Sequence, residues 1–289
     1  MNVTTSARQR LKFVTLLLIP VVVGILYMAA CGAPQIYIVS NSGAGIAMLA
    51  GILFLPRIEN LQTPTRAPII VSGVILALIA ATFAGPGVDG VQRWIKLGPF
   101  NLHAGMLLLP IFVVILPELM PRVACVATLL AATLFALQPD FASAFALCAA
   151  SLVVFVLTRN CWSLVAFLGA GVALALTMLQ VNTLAPISFV EAVVQDAAAV
   201  HPIISIGMIL SVVMAAAAPI VARCNQKLAS HVKIFAWSAC LVGYFLASLI
   251  GDYPTPLLGY GVSSILGFGC ACILLIQAED VGNLRSSLS

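Results

Sequence analysis

Gly90-Val91-Gln92-Arg93-Trp94-Ile95-Lys96-Leu97-Gly98 puts two cations and an indole into a chain that elsewhere leaves little room for either. The sequence on both sides of this stretch is apolar over long runs. Of the whole chain 62% is hydrophobic and 8% charged, against about a quarter charged in an ordinary soluble domain. A water-facing surface cannot be clothed with so few charges, so the chain reads as an integral membrane protein. A hydrocarbon core about 30 Å thick takes roughly 20 apolar residues per crossing helix. The long, unalternated runs fit helices rather than a lipid-exposed barrel. The expected fold class is all-α, a polytopic transmembrane helical bundle forming a single integral membrane domain over 1–289.

Working outward from the quoted stretch, the apolar runs predict helices near 12–30, 35–55, 67–86, 104–120, 122–137, 141–158, 162–180, 201–222, 231–251 and 257–277. Pro110, Pro117, Pro121 and Pro139 interrupt the region of the fourth to sixth. The count decides the topology, because one crossing more or fewer would invert everything after it. Lys and Arg near helix ends are retained on the cytoplasmic side. With ten crossings and both termini cytoplasmic, Arg8, Arg10, Lys12, Arg57, Arg66, Arg122, Arg159, Arg223, Lys227, Lys233 and Arg285 all fall inside, and Arg93 and Lys96 alone fall outside. The formal net charge of +4 is accounted for by orientation and calls for no nucleic-acid partner.

The first apolar run is long enough to span and no small-residue cleavage pattern follows it, so it is read as a helix rather than a cleaved signal. The eight Cys fall mostly within or at the ends of helices, where they pack as small polarizable residues. Cys270 and Cys272, two apart on a helix, point to different faces, and His103, His201 and His231 have no ligand spacing. No metal site and no cofactor are expected, with a divalent cation left open.

Three clusters of polar residues fall on the external side. In the external loop 87–103, Arg93 and Lys96, three apart in a helical turn, would share a face beside Trp94. Two such cations can clamp a pyrophosphate or anchor the loop among headgroups. Gln138-Pro139-Asp140 joins the fifth and sixth helices; Asp140 suits a helix cap or a substrate-facing carboxylate. Pro254-Thr255-Pro256-Leu257-Leu258-Gly259-Tyr260-Gly261-Val262-Ser263-Ser264 enters the last helix, where small residues and hydroxyls suit close packing or a polar lining.

In this order and on this side, the three clusters resemble the successive signatures of the SEDS family, the FtsW/RodA/SpoVE group of ten-helix membrane proteins. The resemblance implies a role in peptidoglycan assembly during division or elongation, in the bacterial cytoplasmic membrane. It also implies engagement of lipid II or a related polyprenyl-pyrophosphate substrate at the outer face, membrane lipid around the bundle, and a class B penicillin-binding protein as partner. Arg93, Trp94, Lys96, Gln138, Asp140, Tyr260, Ser263 and Ser264 are then the candidate substrate-binding residues.

The chain departs from the family in ways that bear on catalysis. Where the family continues its first signature with Gln-Pro-Ser-Glu and then a Lys, this chain has His103-Ala104-Gly105-Met106 and Leu109. Leu-Gly-Thr after the second signature becomes Phe141-Ala142-Ser143. The long external loop that carries the family's catalytic Asp is reduced to 181–200, whose only acids, Glu191 and Asp196, are the candidate catalytic residues. Three functions remain open: a precursor-docking protein, a peptidoglycan glycosyltransferase using Asp196 or Glu191, and a lipid or small-molecule transporter suggested by Ser40, Asn41 and Ser42 inside the second helix.

Overall fold

The computed structural model describes residues 3–54, 66–85, 87, 91–98, 100–180, 186–221 and 228–288. Arg57, Asp89, Gly90, Arg223, Lys227 and the segment 181–185 lie outside the described residues, as do the side chains of Arg8, Arg10, Lys12 and Arg285. The elements in chain order are α1 (Val3–Ala30), α2 (Gln35–Phe54), α3 (Ala67–Ala81), β1 (Trp94–Leu97), β2 (Phe100–His103), α4 (Ala104–Ile115), α5 (Pro121–Leu137), α6 (Phe141–Thr158), α7 (Cys161–Met178), α8 (Val193–Val200), α9 (Pro202–Val221), α10 (Leu228–Ile250) and α11 (Val262–Leu288).

All of the helices except the short α8 correspond to the ten expected crossings. Seven are long and apolar enough to cross a membrane; the apolar stretches Ala104–Glu118, Pro121–Leu137 and Val262–Ile276 are shorter. α7 shows why the bundle belongs in lipid. Its inner face carries Ser163, Ala166, Ala170, Ala173 and Thr177, while Val165, Leu168, Val172 and Leu176 are exposed. Small residues inside and large apolar ones outside is the membrane arrangement, since lipid gives helices no hydrophobic reason to associate and close backbone packing must hold them. Such packing is visible where α11 meets α4: a Cβ on Gly267 would stand 2.3 Å from the Met106 carbonyl oxygen. At the centre, Trp237 of α10 lies between Phe13 of α1 and Phe268 of α11, with ring centroids 6.2 and 5.4 Å away.

Cross-bundle contacts gather helix ends on two faces. On one face the Arg93 side chain reaches Gln138 and Pro139, Gln138 reaches Ile79 and Thr82, His103 reaches Ser263, and Asn41 reaches Gly259 and Gly261. On the other face Lys233 pairs with Glu118, and the Arg122 guanidinium stands 5.3 Å from the Trp162 ring centre. The first is called the hairpin face below.

Among the boundaries that differ from expectation, two have a clear local reason. The fourth helix is α-helical only to Ile115 and ends in a 3-10 turn, Leu116–Glu118, around Pro117. The last helix begins at Val262 rather than 257. Before it Leu257 has φ +64°, and the amides of Thr255 and Tyr260 donate to the carbonyls of Val190 and Phe189 instead of to a helix.

Candidate functional site at the hairpin face

The segment before α4 folds into an antiparallel hairpin in which Trp94 pairs with His103 and Leu97 with Phe100. Only residues 98 and 99 separate the strands, and Gly98 takes φ +58°, as tight hairpin connections require. Extended backbone alternates its side chains, so the expected helical turn with Arg93 and Lys96 on one face does not form. Arg93 is 4% exposed whereas Lys96 is exposed at the hairpin. The two cations do not make a common clamp.

Arg93 is instead directed into the bundle. Its Nε donates to the Gln138 carbonyl at 3.1 Å and its Nη2 to the Pro139 carbonyl. Gln138 in turn donates from Nε2 to the Ile79 carbonyl at 3.0 Å and to Thr82 Oγ1 at 2.6 Å. The chain reversal at Pro139 leaves carbonyls that no helix can satisfy, and a forked guanidinium can serve two of them at once. Arg93 and Gln138 thus latch the hairpin, the end of α3 and the α5–α6 junction together.

Asp140 stands at the centre of this junction, 1% exposed. One carboxylate oxygen, Oδ1, caps α6 by accepting the Ser143 amide at 3.1 Å. Oδ2 is buried without a hydrogen-bond partner and lies 3.7 Å from His103 Nε2. His103 caps α4 in the same way, its Nδ1 accepting the Met106 amide at 3.3 Å, while its own amide donates to Ser263 Oγ at 2.8 Å. An accepting Nδ1 assigns the ring proton of the neutral tautomer to Nε2, the nitrogen turned toward Asp140. Burial pushes the imidazole below its ordinary pKa; Asp140 opposes that shift and Arg93 adds to it. Trp94 meets the ring edge-on at 6.2 Å, and Ser143 Oγ lies 2.9 Å from Tyr244 Oη.

The turn before α11 packs beside this junction. Asn41 Nδ2 donates to the Gly259 carbonyl at 3.0 Å and its Oδ1 accepts the Gly261 amide at 3.2 Å, so the polar residue inside α2 serves as a clamp. Ser264 Oγ accepts the Leu257 amide and donates to the Gly261 carbonyl. Tyr260 stacks on Tyr37 with centroids 4.0 Å apart and planes 6° from parallel.

The two acids of the shortened connection are separated. Glu191 forms a bridge with Pro254, and its Oε2 accepts the Ile187 amide at 3.2 Å. Burial pushes its carboxyl above the ordinary value, against the effect of that hydrogen bond. Asp196 is exposed in the first turn of α8. The structure therefore gathers Arg93, Trp94, Gln138, Asp140 and Ser263 around His103. It sets Tyr260 in the adjoining turn and Ser264 at the start of α11, and leaves Lys96 and Asp196 exposed. His103, Ser143 and Tyr244 are the members that motif reading did not select. Among the described residues no three His, Cys, Asp or Glu side chains gather as a metal cluster.

No family model matches the sequence. No curated protein matches it either. Solved structures do. The rod shape determining protein RodA of Thermus thermophilus superposes with a TM-score of 0.65 at 19% identity, over 92% of this chain and 96% of that one. An aspartate-to-alanine variant of the same protein gives 0.69 at 20% identity over the same shares. The chain is an integral membrane protein with the fold of RodA, the fold that its SEDS-like signatures led one to expect.

Proposed function

We propose that this chain serves peptidoglycan assembly in a bacterial cytoplasmic membrane, engaging lipid II or a related polyprenyl-pyrophosphate at the hairpin face beside a class B penicillin-binding protein. The observation that carries this reading is the convergence of all three signature clusters on one buried polar junction within a RodA fold. Lys96, exposed on the hairpin, is the side chain suited to meet a pyrophosphate as a point charge. Arg93, committed to two carbonyls, is a positioning residue.

The chemistry favours docking over polymerisation. A general base must come within hydrogen-bonding reach of the acceptor hydroxyl. Glu191 is held by the Ile187 amide, and Asp196 lies on α8, whose neighbour is α9 rather than the Asp140 junction. With Asn41 engaged in a clamp, a transport path through α2 has little to rest on.

The test is lipid II binding to purified protein in nanodiscs, with polymerisation assayed alone and with a class B penicillin-binding protein. Lys96→Glu is expected to weaken binding about tenfold, near 1.4 kcal/mol, with an unchanged melting temperature and no glycan from the unaltered chain. Binding indifferent to Lys96→Glu would overturn the site. Glycan synthesis abolished by Asp196→Asn would instead establish the glycosyltransferase.

A further inference from the structure

The face opposite the hairpin holds a cavity of about 480 Å³ between the ends of α4, α5, α6 and α7, where α10 also contributes Val232. Its volume is within the range of roughly 300–1,000 Å³ typical of ligand pockets. The wall is apolar in effect as well as in composition. Thr128 donates to the Ala124 carbonyl, Thr158 to that of Val154, and Ser163 to that of Asn160. The Asn160 amide is engaged by Thr158 and by the Ser163 amide. Ser151 apart, these polar groups are satisfied within the protein, so an occupant need supply few hydrogen bonds.

The rim carries the opposite character. Arg122 follows Pro121, and Arg159 lies between Thr158 and Asn160; Pro121, Thr158 and Asn160 line the cavity and both arginines are exposed. Arg122 rests over Trp162, the pairing of guanidinium and indole found at a membrane interface. The nearby Lys233 is paired with Glu118, so among the described residues beside the cavity the two guanidinium groups supply the exposed positive charge. Outward from the cavity, Val126, Leu130, Leu152, Val156 and Val165 continue an exposed apolar surface along α5, α6 and α7. A helix, about 10 Å across with a pitch of 5.4 Å, would exhaust such a volume in about one turn. A slender flexible chain fills it.

We propose that this cavity binds one acyl chain of an anionic phospholipid, whose phosphate is met by Arg122 and Arg159. The site is independent of the function proposed for the hairpin face and lies in the other leaflet. The experiment is native mass spectrometry of the detergent-purified full chain after delipidation, titrated with phosphatidylglycerol or with phosphatidylcholine of the same acyl composition. One phosphatidylglycerol is expected to be retained about tenfold more tightly than phosphatidylcholine. Arg122→Gln with Arg159→Gln should bring the two lipids to parity. Ser151→Leu with Ala166→Leu, which fills the cavity, should reduce retention of both. Melting curves report whether the filled variant still folds; if it does not, the arginine pair, being on the surface, decides alone. Equal retention of the two lipids by the unaltered chain, or a preference that survives loss of both arginines, would overturn the site.

Discussion

Arg93 donates to the carbonyls of Gln138 and Pro139 across 45 and 46 residues of sequence. One of the few cations of the chain is therefore committed to the carbonyls of a chain reversal. Arg93→Ala would leave two buried acceptors unmatched, each worth about 1–3 kcal/mol. The expected result is a clear fall in melting temperature, with Arg93→Lys intermediate because an ammonium lacks the fork. Arg93→Glu should fail to fold rather than fold and merely lose ligand, as size-exclusion chromatography of the purified variant would show.

Acid should loosen the same junction through His103. Its folded pKa is below the ordinary 6.5, chiefly through burial. The unfolded chain therefore takes up the proton first as pH falls. Stability from the neutral ring is complete above about pH 6.5 and is lost between there and the folded pKa, at up to about 1.4 kcal/mol per pH unit. Protonation also removes the lone pair that caps α4. Glu191, whose carboxyl is raised by burial, acts in the opposite sense, so melting is best followed from pH 7.5 to 5 in Glu191→Gln. The slope should flatten on adding His103→Asn; an unchanged slope would remove His103 as its source.

How far the sequence could be read differs between the two scales. The ten crossings follow from hydrophobic runs and punctuating prolines, and most helix ends agree within a few residues, because desolvating a backbone in lipid admits almost no alternative to a helix. The hairpin had a local signal too, in Gly98 between two apolar-polar segments, but a cluster of cations and Trp favours a helical turn on sequence alone. The partners of His103 could not be read at all. Asp140 and Ser263 are 37 and 160 residues away from it in sequence, and imidazole is not among the side chains preferred as caps. Asp140 itself was legible as a cap; its second oxygen, turned toward an imidazole, was not.

Asn41 was open to reading as part of a transport path, and its geometry makes a different prediction. Both ends of its amide are hydrogen-bonded to the turn before α11, and it is fully buried. Asn41→Leu should lower stability by about 2–4 kcal/mol, since it strands the Gly259 carbonyl and the Gly261 amide. Asn41→Asp keeps an acceptor for Gly261 but turns the Gly259 carbonyl against a carboxylate, and should be no better. Thermal melting in detergent measures both. A variant that melts like the unaltered chain would dissociate Asn41 from the fold and reopen a role in substrate passage.

A close backbone approach between α11 and α4 offers a steric test. A Cβ on Gly267 would stand 2.3 Å from the Met106 carbonyl oxygen and 2.6 Å from that of Leu107, both backbone atoms that no rotamer can move aside. Gly267→Ala must push α11 from α4, and Ser263, one turn earlier on α11, would then draw away from the His103 amide. Overpacking of this kind costs about 1–3 kcal/mol where the backbone can shift; here it should also disturb the junction. Gly171 of α7 has nothing within 4 Å of the same added atom, so Gly171→Ala should be tolerated or slightly stabilising. Melting temperatures of the pair separate a packing effect from a general response to alanine. If Gly267→Ala melts no lower than Gly171→Ala, α11 does not approach α4 as closely as this geometry requires, and the His103–Ser263 contact loses its support.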